Sequence, residues 1–529
     1  MKAHIVGGGF GGLAAAGYLI RNVGVPGPDI TIYEADERMG GGFFLGGSSQ
    51  TGYNLPGSVF DHEFRCAFAL LDAVPSAWNP PVSVKKEFFA FNEGHPFESR
   101  GHLIDREGRI VHDPRFGLSW RDGFDLARLA LTSEPKQEGR RIQEFFSPRF
   151  FSTEFWLCYS TIMGSLPQHG ATELRRYLNR TLHMFPYISD MANIWRTPFN
   201  QYQAFIEPLV AWLRAHGVNL QAGAFVRDVG FAGSPGRITV NQLDYERNGA
   251  VTSVTVAADD LVLLTFGSQA ADMSVGSMSQ APPRQRSGRS WALWKRLAQG
   301  RPEFGNPDAF FDPRHVRDSR WVTFTITTTE TDFLELMSAL TGSETGRGGL
   351  VSLIDSPWLL SLSVFHQPEI MCQPPGTYVL WGYGLHPEAT GRYVQKCMYE
   401  CTGAEILEEL LRQLRFDQEL NTIMGSSICI PCDMPYVNNI WLMRKPTDGP
   451  RPVPEGSTNL ALIGQYVEVS QDVAFTIEYS ARTAWEAIYL LLKRGPPPPP
   501  VYQARYDPKA VFAALKLFVF PATTRPRVT

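Results

Sequence analysis

The apolar residues of this chain fall into two periods, and their alternation sets out the elements. An unbroken apolar run, Ala3-His4-Ile5-Val6, predicts a buried strand. The pattern Leu13-Ala14-Ala15-Ala16-Gly17-Tyr18-Leu19-Ile20 predicts a helix, and Ile30-Thr31-Ile32-Tyr33 predicts a second strand. Phe60, Phe64, Phe68 and Leu71 stand at helical spacing and predict a helix over 60–75. Residues 140–215 read as helix-rich, with Phe145, Phe146, Phe150, Phe151, Phe155 and Trp156 supplying aromatic surface. Strand patterns return at 238–240, 251–256 and 261–265, and again at 321–327, 351–354, 359–365 and 377–381. Near the end, Asn459–Tyr466 reads as a buried strand followed by a helix through Leu492. The run Pro496–Pro500 is a stiff spacer before an amphipathic helix at 508–518.

These elements predict an α/β protein: a Rossmann-like dinucleotide-binding domain, an inserted mixed α+β substrate domain and a helical C-terminal region. The expected division gives the nucleotide domain residues 1–140, 216–275 and 446–495. It gives a helix-rich substrate region 141–215, a substrate domain 276–445, and the linker and helix 496–529. No internal repeat is present.

Between the first strand and helix stands Gly7-Gly8-Gly9-Phe10-Gly11-Gly12, a G-x-G-x-x-G turn of Gly7, Gly9 and Gly12. Gly7 permits the tight turn, Gly9 lets a pyrophosphate approach the backbone, and Gly12 lets helix and strand pack closely. Glu34 follows 22 residues later (34 − 12) and would accept hydrogen bonds from an adenosine ribose. A second glycine-rich turn carries Arg38, Gly40 and Gly41. It favours FAD over NAD, as does the late strand ending in Gly464, which reads as the return of the chain to the cofactor. Val226 and Gly267 complete the expected cofactor contacts.

Composition fits a large globular enzyme: 529 residues, 43% hydrophobic, 19% charged. A net charge of −4 excludes the basic excess of a nucleic-acid binder. No run approaches the roughly 18 apolar residues of a membrane span. The first strand begins almost at once, which leaves no room for a signal peptide, and seven scattered cysteines suit a reducing, cytoplasmic setting. The tight pair Cys429/Cys432 has no second pair or histidine cluster at zinc spacing, so no metal is expected.

Several longer segments carry a resemblance over residues 3 to about 519: Thr51-Gly52-Tyr53, His169–Leu178, Asn200-Gln201-Tyr202, Trp381–Leu385, Val453–Asn459 and Phe475–Ser480. The chain resembles the oleate hydratases, FAD-containing fatty acid hydratases once called myosin-cross-reactive antigens. The resemblance implies addition of water across a cis-9 double bond to give a 10-hydroxy fatty acid, with FAD in a structural and electrostatic role. An isolated alkene is a very weak base, so an acid must protonate it and another group must orient the water.

By resemblance the acid is Tyr177, in Arg175-Arg176-Tyr177-Leu178-Asn179-Arg180. Arg176 or Arg180 would lower its pKa if they point the same way. The family's water-activating glutamate is missing. The matching stretch Leu55–Cys66 puts Ser58 at the family's arginine and Val59 at its glutamate. Asp61 or Glu63 would replace it if the loop shifts; both also read as solvated acids at a helix start. Asn438 and Asn439, with Gln201 and Tyr202, are the expected contacts to the fatty acid.

The rival readings are a flavin oxidoreductase of the amine-oxidase or desaturase kind, and a non-catalytic lipid-binding flavoprotein. The terminal helix, with Val511, Phe512, Leu515 and Phe518 on one face and Lys509 and Lys516 beside it, suits peripheral membrane contact or packing on the protein itself. The assembly is expected to be a monomer or homodimer.

Overall fold

The computed structural model describes residues 1–112, 116–233, 236–284 and 288–519, with side chains to residue 516. The strand Ala3–Val6 lies at the centre of a five-stranded parallel sheet. Its order is Leu460–Ile463, Leu261–Thr265, Ala3–Val6, Ile30–Tyr33 and Asn219–Gln221. Ala3 pairs with Leu261 on one side and Ile30 on the other. A parallel sheet is covered on both faces, which is why its central strands read as continuous apolar runs. The helix Phe10–Tyr18 is buried along its whole length and packs on the helix Ile477–Leu492. Gly11 faces that helix, where a Cβ would stand 3.6 Å from Ser480. Both ends of the chain therefore build one nucleotide-binding layer.

The second layer is an eight-stranded mixed sheet. Its order is 274–275, 427–434, 321–328, 378–384, 360–364, 350–353, 103–104 and 110–111. The strand Trp321–Thr328 is buried on both faces. Val322, Phe324 and Ile326 join a core with the helices Asp332–Thr341 and Gly403–Gln413. The alternate residues face the other way: Thr325 and Thr327 hydroxyls accept the Leu55 and Tyr53 amides.

Three expectations change. The helix expected at 60–75 runs only from Arg65 to Leu71. Phe60 instead exchanges backbone hydrogen bonds with Trp195, and the Glu478 carboxylate caps the helix by accepting the Cys66 and Ala67 amides. The strand expected at 238–240 begins at Val240 and runs to Arg247, in a separate antiparallel sheet with 225–231 and 250–255. Residues 103–111, assigned above to the nucleotide domain, pair with the second sheet. Cys429 and Cys432 lie on the strand Ser427–Met434, and residues three apart on a strand point to opposite faces.

The proline segment follows the last long helix: Trp485 Nε1 donates to the Pro496 carbonyl and Arg482 Nη1 to that of Pro499. The helix Pro508–Val519 then docks on the turn Leu182–Tyr187 through Ala510 and Ala514. Its expected apolar face divides: Val511 is half-buried, whereas Phe512 and Leu515 are 61% and 54% exposed. The Phe518 side chain lies outside the described residues. Among the described residues no helix is long and apolar enough to cross a membrane.

Candidate functional site

A cavity of about 600 Å³ runs between the two sheets, starting at the glycine turn. Gly7 has φ +102°, and a Cβ there would fall 2.0 Å from Thr265 Oγ1, so no other residue fits. Gly9 differs: a Cβ would stand 3.6 Å from the Gly41 Cα, in free space that belongs to the cavity. The Gly40 amide donates to the Gly8 carbonyl at 2.9 Å, fastening the second glycine turn to the first. Glu34 lines the wall and accepts the Gly8 amide at 2.5 Å and the Asp36 amide at 2.9 Å. Burial pushes its carboxyl up to about 7, against the pull of those amides.

Gly40, Gly41, Val226, Gly267 and Gly464, the expected cofactor contacts, also line the cavity. Gly12 does not; it packs directly over the Gly7 carbonyl, the close helix–strand contact expected of it. Arg38 is exposed and reaches the Leu45 carbonyl, away from the cavity wall. Sequence reading missed Asp36 and Arg289, which do line it, the Arg289 guanidinium 4.0 Å over the Phe225 ring. An arginine at the start of a distant helix carries no local signal of this.

The far end of the cavity is walled by Pro56–Phe60, Trp321, Thr323, Trp381, Met434, Val437 and Phe475. Ser58 and Val59 are thus in the wall, and Asp61 and Glu63 are not. The Asp61 carboxylate is buried, 3.1 Å from Arg180 Nη1 and 3.2 Å from His183 Nε2. Burial alone would raise its pKa, but His183 and Arg180 outweigh it and hold the group well below the usual carboxylate range. Glu63 is paired with Arg65 at 2.9 Å.

Tyr177 sits on the helix Ala171–Thr181, 2% exposed, its ring stacked on Trp441 at 4.5 Å. Its hydroxyl makes no hydrogen bond of normal geometry among the described residues. Burial, then Glu173 and Tyr159, drive the phenol pKa well above its ordinary value; the amide of the wall residue Phe475 acts weakly the other way. Neither arginine neighbour assists ionisation. Arg176 forms a fork with Glu134 at 3.0 and 2.9 Å and also reaches Glu468, while Arg180 turns to Asp61 and Asp472.

The expected fatty acid contacts are largely committed elsewhere. Asn438 Nδ2 donates to the Gly164 carbonyl at 2.7 Å, and Asn439 Nδ2 to the Tyr466 hydroxyl at 3.2 Å. Gln201 is buried with an unpartnered amide oxygen, and the Tyr202 ring lies against Gly40.

Residues 1–489 match the MCRA family. The chain is 31% identical over 531 residues to an oleate hydratase of Streptococcus pyogenes serotype M49 (strain NZ131), covering 97% of this chain and 89% of that protein. It is 30% identical to a linoleate hydratase of Lactiplantibacillus plantarum, covering 92% and 93%. Among solved structures, putrescine oxidase aligns with a TM-score of 0.51 at 12% identity, over 91% of this chain and 98% of that one. Cyclohexylamine oxidase from Brevibacterium oxydans IH-35A aligns at 0.50 and 13%, over 93% and 98%. At such identities the likeness is one of fold.

Proposed function

The chain belongs to the MCRA family, and on that premise we propose a fatty acid hydratase that adds water to the cis-9 double bond of oleic acid or a similar substrate, giving a 10-hydroxy fatty acid. Its relatives named oleate hydratase and linoleate hydratase, similar over nearly the whole chain, support a hydro-lyase over the oxidase reading suggested by fold alone.

The cofactor assigned is FAD. The fit rests on the space at Gly9, which a side chain would fill, and on the Glu34 carboxylate held at the wall. The N-terminus of the helix Phe10–Tyr18 would hold the pyrophosphate, and Glu34 the ribose. Bound there, FAD supplies a fixed polar face and field to a reaction that transfers no net electrons.

The observation that supports the reaction is the buried Tyr177, kept protonated by burial, with its hydroxyl toward the amide of the wall residue Phe475; Tyr177 itself does not line the cavity. Tyr177 gives its proton to C9 of the alkene; water bonds to the cationic C10 and releases a proton that restores the phenol. With Val59 in the glutamate's place, no carboxylate from Pro56–Phe60 orients that water, and the Ser58 hydroxyl is the polar side chain of this stretch in the wall. Asp61 and Glu63 are read here as structural. The terminal helix, with Phe512 and Leu515 exposed, is assigned to membrane contact, where an insoluble substrate resides.

The test is anaerobic incubation of the holoenzyme with oleate, with FAD oxidised and reduced, followed by mass spectrometry. A product one water heavier with no net flavin turnover is expected. Oxygen-dependent consumption of oleate would return the oxidoreductase, and fatty acid binding without product the non-catalytic flavoprotein.

A further inference from the structure

The helix Trp120–Leu131 turns an apolar stripe to solvent. Trp120, Phe124, Ala127 and Leu131 recur at spacings of four, three and four, which puts them on one face of an α-helix. Trp120 is 83% exposed, Phe124 63% and Leu131 82%. Single exposed apolar side chains are ordinary, whereas a continuous stripe of large ones marks an interaction surface. The opposite face is the one that packs, with Asp122, Asp125, Leu126 and Leu129 all buried. A capping box of Ser119 and Asp122 fixes the start of the helix, and Arg149 holds Asp122 at 2.9 Å.

The charges of the helix are sorted in the same sense. Both acids point inward, Asp122 to Arg149 and Asp125 to Arg128 at 3.0 Å. Both arginines, Arg121 and Arg128, are exposed, each one position beyond a residue of the stripe. Arg128 is held by Asp125 and by the Phe145 carbonyl, and Arg121 makes no ion pair among the described residues. The exposed side is therefore apolar with a cationic edge and bears no exposed carboxylate of the helix, the complement of an anionic lipid surface.

The stripe also ends beside the terminal helix. The Ala130 and Thr132 carbonyls, at its C-terminal end, accept Asn179 Nδ2 and Arg175 Nε of the helix Ala171–Thr181. The turn Ala504–Tyr506, which leads into the terminal helix, packs on that same helix, with Arg505 and Tyr506 in electrostatic reach of Arg175. Phe512 and Leu515, with Lys509 and Lys516, are exposed just beyond.

We propose that the helix Trp120–Leu131 is a docking surface for an anionic lipid bilayer, with Trp120, Phe124 and Leu131 entering the headgroup boundary and Arg121 meeting lipid phosphates. Indole suits that boundary, being an apolar ring with one polar N–H. With the terminal helix as a second contact on the same body, each contact raises the effective concentration of the other, so loss of either weakens binding severalfold. The proposal extends the membrane reading of the terminal helix to a new surface and needs no hydratase activity.

The test is co-sedimentation of the full-length holoenzyme with vesicles of phosphatidylcholine alone or with phosphatidylglycerol. Trp120→Ser/Phe124→Ser/Leu131→Ser is expected to keep its flavin, since all three side chains are exposed, and to bind the mixed vesicles at least about 10-fold more weakly. Arg121→Glu should weaken binding to the mixed vesicles about 10-fold and leave binding to phosphatidylcholine unchanged. Wild-type sedimentation by the triple variant overturns the proposal, as does unchanged binding in Arg121→Glu should the triple variant not fold. If Phe512→Ser/Leu515→Ser abolishes binding and the triple variant does not, the terminal helix acts alone and this surface is dismissed; the reverse result keeps this surface and dismisses the terminal helix. A wild-type dimer that the triple variant converts to monomer in sedimentation velocity, with vesicle binding unaltered, would make the stripe a contact between copies of the chain and likewise overturn it.

Discussion

Tyr177 and Asp61 are both buried, yet their surroundings act on them in opposite senses. The phenol has no cation turned toward it, so burial wins and it stays protonated, as a proton donor must. Tyr177→Phe is expected to cut hydration about 100-fold or more while stearate binding survives; product formation within a few-fold of wild type would remove Tyr177 from the mechanism. For Asp61, His183 and Arg180 overcome burial, so the folded pKa lies below the unfolded one. A depressed carboxylate contributes stability that is present above its unfolded pKa, about 4, and lost as pH falls below it toward the folded pKa. Asp61→Asn should therefore cost about 3–5 kcal/mol at neutral pH, by the loss of a buried partner to Arg180, and the gap should narrow in acid. Urea midpoints across that range check it; identical midpoints at neutral pH would contradict the ion-pair role. Tyr177 is offered as the acid by its arginine-flanked motif, and its role rests on the Tyr177→Phe substitution. The directions of Arg176 and Arg180 were not legible there, because their acids stand at 134, 468, 61 and 472.

At the scale of elements, the glycine turn is the part the sequence states most fully, since strand, turn, helix and acid all lie within 34 residues. The space beside Gly9 makes it testable. A Cβ alone fits at 3.6 Å from Gly41, so Gly9→Val should fold while its methyl groups enter the cavity. The purified variant is expected to be colourless; wild-type flavin absorbance per chain would dismiss the assignment. Other elements were harder to read. The stripe from Phe60 to Leu71 has helical spacing, yet its first residues are drawn off to Trp195 and Asp61's partners, so the helix starts at Arg65. The strand Ser427–Met434 was hidden by Pro431, which ordinarily argues against a strand interior. Here one neighbour, Ser274–Val275, is only two residues long, and the disruption is small.

Over the whole molecule, the C-terminal segment joins the helix Ile477–Leu492 to the helix Ala171–Thr181 and the turn Leu182–Tyr187. Tyr502 lies over Arg65 and Arg180, so truncation at Gly495 would uncover the Asp61 ion pairs as well as remove the helix. Replacing Phe512 and Leu515 with serine avoids that, since both are exposed. The double variant is expected to keep its flavin and lose sedimentation with anionic vesicles; binding by wild type should be weak and salt-sensitive, each lysine adding about 1 kcal/mol. Equal sedimentation of the two proteins would place any lipid contact elsewhere.

The sequence by itself determined most of the parallel layer, the glycine turn within it and four of the eight strands of the second sheet. Each of these is written in apolar period, glycine placement or a contiguous motif, and acts over a few residues. Only the tertiary structure decided that Asp61 faces Arg180 and His183 instead of the cavity, that the asparagine amides are spent on Gly164 and Tyr466, and that the stripe of Trp120, Phe124 and Leu131 is left uncovered. Those outcomes depend on side chains brought together from distant parts of the chain, or on the lack of a partner there. Local propensity carries no record of either, because the free energy that selects them comes from long-range burial and charge pairing.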